Sequence, residues 1–252
     1  MYFAEEMIRA VEGDAAAGIR GMRCAVSGSG NVAQFATEKL LELGAVVMTM
    51  SDSTGYVIAP DGGFDHVLLE LVRDAKNHLR AGLRVAADAS GGRLLFMDEH
   101  SSERSTPHPK RPWGSCDIDI AFPCATQNEV DSSDVRALIA CGCKYVVEGA
   151  NMPTTADAVH ILEQAGVAFG PAKAANAGGV AVSALEMAQN SMRLQWRREE
   201  VDEKLHEIMQ RIHITCAETA AEWTGDARNL RIGANIAGFL KVANSVVEQG
   251  VV

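Results

Sequence analysis

Apolar and polar positions along this chain alternate between a strand-like and a helix-like spacing. Arg23-Cys24-Ala25-Val26 is a short β-rich run that enters a glycine-rich turn, Ser27-Gly28-Ser29-Gly30. A helical pattern leaves the turn, with Val32, Phe35, Ala36, Leu40 and Leu43 spaced for one face. A second apolar run over 45–50 ends at Ser51-Asp52, so residues 22–52 read as a βαβ unit. Ahead of it, residues 1–12 read as a helix with Phe3, Met7, Ile8 and Val11 on one side, and 13–21 as a loop. Behind it come a short strand at 56–59, a turn at Pro60-Asp61-Gly62-Gly63, and an amphipathic helix over 64–80. That helix spaces Val67, Leu68, Leu71, Val72 and Ala75 for burial. Residues 81–112 are the least regular stretch and read as a surface excursion with a short strand at 94–96. The excursion ends in Thr106-Pro107-His108-Pro109-Lys110-Arg111-Pro112, a basic cluster that is either a solvated loop or an anion contact.

Strands then recur at 118–122, 145–147 and 167–170, with helices at 130–140 and from Pro153 onward. From Val180 the pattern is helical, in three pieces over 180–196, 199–223 and 232–249. Strands alternating with helices imply an α/β fold with a doubly wound, mostly parallel, Rossmann-like sheet. We expect a dinucleotide-binding domain over 1–180, including the helix at 1–12, and a C-terminal helical extension over 181–252 packing on it. In such sheets the ligand sits outside the carboxyl ends of the strands. Those ends carry residues 28–33, Ser51-Asp52, Cys124-Ala125-Thr126, Asn151 and Asn176.

Composition narrows the classes. A net charge of −10 argues against nucleic acid or an anionic membrane surface as partner. No apolar run approaches the roughly 20 residues that span a bilayer, and the first residues lack the basic and apolar regions of a signal peptide. The six cysteines are scattered, with Cys141-Gly142-Cys143 the one close pair and no second pair at zinc-site spacing. Reduced thiols in a cytoplasmic protein, with no metal, are therefore expected.

The chemistry sits in Gly28-Ser29-Gly30-Asn31-Val32-Ala33. This is G-x-G-x-x-A after a strand and before a helix, with an acid roughly 20 residues on, the context in which the motif binds a dinucleotide. Gly28 permits the tight turn, Gly30 lets a pyrophosphate approach the backbone, and Ala33 lets helix and strand pack closely. The amides at the helix start then face the phosphates.

Several stretches together resemble glutamate dehydrogenase, most nearly its small hexameric, NADP-using branch. They are the glycine turn, Pro123-Cys124-Ala125-Thr126-Gln127-Asn128, Glu148-Gly149-Ala150-Asn151-Met152-Pro153-Thr154-Thr155, Ala174-Ala175-Asn176-Ala177-Gly178-Gly179-Val180, Glu186-Met187-Ala188-Gln189-Asn190 and Gly233-Ala234-Asn235-Ile236-Ala237-Gly238-Phe239. The resemblance implies oxidation of glutamate to 2-oxoglutarate and ammonia with NADP, by a hexamer. Nothing here matches the family's N-terminal domain, which carries its catalytic residues, so no catalytic residue is assigned. The resemblance places Gly28, Ser29, Gly30, Asn31 and Val32 on the pyrophosphate and Ala125 and Thr126 along the coenzyme. Asn151 would reach the ribose and Asn176 the nicotinamide amide, with Val180 and Ser183 toward glutamate. Asp52 after the second strand argues for NAD, because an acid there binds ribose hydroxyls and repels a 2′-phosphate. The NADP branch tolerates such a Ser51-Asp52 pair, with basic residues of the next segment on the phosphate; Lys76, Arg80 and Arg84 are the candidates, and NADP is favoured. The reading from a different class is a stand-alone dinucleotide-binding regulatory module without catalysis.

Overall fold

The computed structural model describes residues 1–13, 17–60, 62–98 and 110–250. Its strands are β1 (Arg23–Val26), β2 (Val46–Ser51), β3 (Tyr56–Ile58), β4 (Leu95–Met97), β5 (Ile120–Phe122), β6 (Tyr145–Val147) and β7 (Ala168–Gly170). Its helices are α1 (Tyr2–Glu12), α2 (Asn31–Glu42), α3 (His66–Arg73), α4 (Leu83–Ala89), α5 (Ser132–Ala140), α6 (Ala156–Gln164), α7 (Ala172–Ala175), α8 (Ala177–Met192), α9 (Arg198–Thr224) and α10 (Leu230–Gln249).

The strands form one seven-stranded sheet in the order β4-β3-β2-β1-β5-β6-β7. From β2 to β7 across β1 the pairings are parallel, while β3 runs antiparallel to both β2 and β4. The chain leaves β1 toward β2 and returns on the other side as β5, so the winding reverses between β1 and β5. The β2–β3 link spans only residues 52–55, too short for a crossover, and antiparallel pairing follows. The period-two alternation of the strands separates two apolar layers. Cys24, Val26, Tyr145 and Val147 join one, with Phe3, Leu40, Leu68 and Met209. Ala25 and Val146 join the other, with Trp113, Val135, Leu138 and Leu162. Both faces of the sheet are thus covered, as parallel strands require.

Some local expectations are corrected. On α2 the buried side chains are Ala33, Gln34, Thr37 and Leu40. Val32 and Phe35 are exposed, and Arg73 lies over the Phe35 ring with its guanidinium carbon 5.7 Å from the centroid. The helix expected over 64–80 is α3 followed by a π-helical turn, Asp74–His78. It buries Leu68, Leu69, Val72 and Ala75 while Val67 faces out. The excursion contains α4, which buries Leu83, Ala86 and Ala87; at seven residues it is too short to announce itself by periodicity. Of the basic cluster, His108 lies outside the described residues, and Arg111 bridges Asp131 and Asp134 at the start of α5 rather than awaiting an anion. The first C-terminal helix starts at Ala177 and ends at Met192, so 193–196 are not helical.

The C-terminal helices are tied to the N-terminal one. The Tyr2 ring stacks on His206 at 4.4 Å, its hydroxyl donates to Asp202 at 2.6 Å, and Phe3 meets His213 edge-on at 5.3 Å. Helices α9 and α10 cross at Gly233, where an added Cβ would lie 1.9 Å from the Cys216 carbonyl oxygen. Gly238, one and a half turns on, has nothing within 4 Å of that position. Gly233→Ala should therefore destabilise by about 3 kcal/mol or more through backbone overlap. Gly238→Ala should instead stabilise by roughly 0.5–1 kcal/mol through helix propensity. Urea unfolding of the two variants checks the opposite signs.

Candidate functional site

The carboxyl ends of β1, β2, β5, β6 and β7 meet along one edge of the sheet. At its centre Gly28 has φ +85°, and a Cβ there would stand 2.8 Å from the Cys124 carbonyl oxygen and 3.1 Å from the Ala125 Cα. Its N–H donates to Ser51 Oγ at 2.9 Å, and its carbonyl accepts the Ser51 N–H at 3.1 Å. Three strand ends are thereby fixed around one residue, at the point where the winding reverses. Gly30 is different. Its φ of −81° suits any residue, and nothing lies within 4 Å of where its Cβ would be. The fold itself makes no demand for glycine there. Gly30 is the N-cap of α2, which has neither a side-chain cap nor an acid in its first turn. The first amides of α2, beginning at Asn31 and Val32, are left for an outside acceptor.

Asp52 is committed to the protein. Its Oδ1 accepts from the Thr54 N–H at 2.8 Å and the Thr54 hydroxyl at 2.6 Å. Its Oδ2 accepts from the Leu83 N–H at 2.9 Å and lies 3.4 Å from Lys76 Nζ. Burial pushes this carboxyl up, but the Thr54 and Leu83 hydrogen bonds and the Lys76 charge outweigh it and hold the pKa below the usual range. Lys76 sits on the π-helical turn, the kind of local widening that recurs at functional sites. Arg84 is engaged elsewhere, 2.5 Å from Asp98 and over the Phe96 ring. Arg80 is exposed at φ +51°, beyond the π-helical turn.

Toward β6 and β7 the edge continues without a break. The N–H groups of Gly149 and Ala150 both donate to Pro123 O at 2.9 Å, and Gly149 lies against Cys124 and Val32. Burial raises the Cys124 thiol to about 12, so it stays protonated. Asn176, between α7 and α8, donates to Asn151 Oδ1 at 2.8 Å and to Ala150 O at 3.3 Å. Ala125 and Thr126 are exposed beyond β5. Val180 and Ser183 are exposed on α8, the Ser183 hydroxyl donating to Gly179 O at 3.2 Å. Lys173 bonds Asn235.

Four residues that frame this edge are given no role by the sequence, although Glu148 opens one of the recognised stretches. Buried Gln34 donates to Ser29 O at 2.8 Å and exchanges amide bonds with Asn77, joining the glycine turn to the Lys76 turn. Thr54 holds Asp52. Glu129 and Glu148, both buried, bind backbone and hydroxyl donors of neighbouring strand ends. Their partners are distant or unpatterned, and only their proximity to the recognised motifs could have drawn attention to them. A cavity of about 850 Å³ lies at the opposite end of the sheet, by Glu12, Lys144, Tyr145, Glu163 and Arg231. There Arg231 pairs with Glu163 and Tyr145 with Glu12, and the candidate site is the open edge with the uncapped helix. No cluster of three or more His, Cys, Asp or Glu is placed to hold a metal among the described residues.

A doubly wound α/β sheet with a glycine turn at its switch point places the chain in the Rossmann-like class. The family model for Glutamate/Leucine/Phenylalanine/Valine dehydrogenase matches residues 1–250, and the chain belongs to that family. It is 49% identical over its whole length to an NADP-specific glutamate dehydrogenase of Giardia intestinalis, covering 53% of that protein. It is 48% identical to the Escherichia coli NADP-specific glutamate dehydrogenase, covering 52%. The solved Plasmodium falciparum glutamate dehydrogenase superposes with a TM-score of 0.89 at 43% identity, over all of this chain and 50% of that one. The chain thus spans about half the length of the relatives it matches.

The two glycines of the turn should separate experimentally. Gly28→Ala should cost at least about 2 kcal/mol of stability, from its positive φ and the clash with Cys124. Gly30→Ala should cost less, at most about 1 kcal/mol, since it loses only the N-cap preference for glycine. Denaturant titration distinguishes a glycine kept for the fold from one kept for a ligand.

Proposed function

We propose that this chain is the coenzyme-binding part of an NADP-dependent glutamate dehydrogenase, interconverting glutamate with 2-oxoglutarate and ammonia in the full-length enzyme. The observation that carries the reading is Gly30, a glycine the fold does not need, at the uncapped start of a twelve-residue helix on the switch point of the sheet. A pyrophosphate needs that room and those amides. In this reading residues 1–180 bind the coenzyme and 181–252 form the helical extension.

The residues divide the work along the edge. Gly28, Ser29, Gly30, Asn31 and Val32 would hold the phosphates, the Ser51-Asp52 corner would lie beside the adenosine ribose, and Ala125, Thr126 and Asn151 would follow the middle of the molecule. Asn176, held by Asn151 and the Ala150 carbonyl, would hold the nicotinamide amide. A bound nicotinamide dinucleotide supplies the hydride acceptor. Val180 and Ser183 would line the glutamate side, and the exposed apolar side chains of α8, Val180 and Met187, fit contact with the remaining half of the enzyme. The resemblance to the small hexameric branch implies a hexamer for the whole enzyme, and a cytoplasmic location belongs to the same reading.

The preference for NADP rests on Asp52. An acid at this position selects NAD when its oxygens are free for the ribose. Here both oxygens are taken by Thr54 and the Leu83 amide, and Lys76 balances the charge. Lys76, with Arg80 beyond it, would then meet a 2′-phosphate, while Arg84 spends its charge on Asp98.

Two measurements test the reading. NADPH should bind saturably by fluorescence titration, and Gly30→Val should abolish binding while the chain stays folded, with a melting temperature lowered by only a few degrees through the poorer N-cap. Lys76→Gln should weaken NADPH about tenfold, the value of one charge-assisted contact, and leave NADH within about twofold. Equal losses would remove Lys76 from the phosphate. The 252-residue chain alone should give no glutamate-dependent NADPH production, because hydride transfer needs a positioned substrate and a base within hydrogen-bond reach. Turnover abolished by Lys173→Ala would reverse that expectation.

A further inference from the structure

We propose that Glu129 and Glu148 are positioning residues, each clamping one half of the cleft edge: Glu129 the half at the glycine turn, Glu148 the half at Asn151 and Asn176. The inference rests on the coenzyme reading above and assigns work to two side chains that reading does not use.

Glu129 is 8% exposed and Glu148 5%. Neither has a cation within ion-pair distance among the described residues; Arg111 and Lys173 act on them only through space. Burying a carboxylate without a counter-ion is costly, and neutral donors must repay it. The donors come from separate elements. Glu129 Oε1 accepts the Ser27 hydroxyl, beyond β1, and the Ala125 N–H, beyond β5, both at 2.9 Å. The Ser27 oxygen in turn accepts the Cys124 N–H at 2.9 Å. The Thr126 N–H also bears on the same carboxylate. Glu129 therefore fixes the glycine turn and the β5 end to each other.

Glu148 repeats the arrangement two strands on. Its Oε1 accepts the Thr154 N–H at 3.1 Å, and its Oε2 accepts the Ala172 N–H at 2.6 Å. Thr154 follows the loop that carries Asn151, and Ala172 opens the helix that ends at Asn176. The Asn151–Asn176 pair is set by this clamp. In both sites burial outweighs the opposing hydrogen bonds and leaves the carboxyl above its usual range. Both oxygens of Glu148 are used by backbone donors. A glutamine of the same shape satisfies only one and turns its own N–H against the other.

The test compares two ligands on the 252-residue chain. NADPH covers the whole edge; adenosine 2′,5′-bisphosphate covers only the adenosine and phosphate half. Glu148→Gln should weaken NADPH about tenfold and leave the bisphosphate within about twofold. Glu129→Ala, which removes the oxygen shared by Ser27 and Ala125, should weaken both about tenfold, and Ser27→Ala, which removes the shared hydroxyl, should reproduce that pattern in milder form. Melting temperatures are recorded for each variant. Equal losses of both ligands in Glu148→Gln, or unchanged affinities in every variant, would overturn the proposal and leave the carboxylates as fold supports. Absence of NADPH binding by the unaltered chain would instead sink the coenzyme reading itself, and this proposal with it.

Discussion

Everything at the cleft edge depends on how closely β1 and β5 approach. The turn after β1 packs so tightly on the end of β5 that the Gly28 α-carbon occupies space no side chain could share with the Cys124 carbonyl. That contact sits where the winding of the sheet reverses, the place at which two loops diverge and leave a crevice. Ser51 closes the same residue from the β2 side. With these three ends locked, the first turn of α2 has one direction in which to point.

The rest of the edge is an extension of that lock by buried polar groups. Glu129 ties the turn to the β5 end, Glu148 ties the β6 loop to α7, and Gln34 ties the turn to the segment carrying Lys76. Each satisfies backbone polar groups that strand ends, loops and a helix start leave open. A site assembled from five strand ends is otherwise only as rigid as its loops. Holding the loops by buried hydrogen bonds gives the pre-organisation that tight binding of any ligand along this edge would need.

Asp52 shows how environment alters the meaning of a residue. By position it is the ribose-binding acid of an NAD site. By contact it is a structural acceptor for Thr54 and the start of α4, neutralised by Lys76. A carboxylate whose oxygens are filled and whose charge is balanced no longer repels a phosphate in the way a free one does. The same sequence signature can therefore belong to either coenzyme preference, depending on what the following segment brings to it.

Local spacing was enough to determine the order of nearly all the elements, the glycine turn, the strand ends that lead to Ala125 and Asn151, and the α/β class. Those features are written in periodicity and in residues whose backbone demands are local. Asn176, expected at a strand end, instead follows the short helix α7. Tertiary structure alone decided the antiparallel edge of β3 and β4, the exposure of Val32 and Phe35, the burial of α4 and the π-helical turn under Lys76. It also decided that Asp52 is occupied, that Gly28 serves the fold while Gly30 is free of it, and that Glu129 and Glu148 face the cleft edge. The physical reason is range. Glu129 meets Ser27 across 102 positions and Gln34 meets Asn77 across 43, and no local pattern encodes a partner that only the folded sheet brings near.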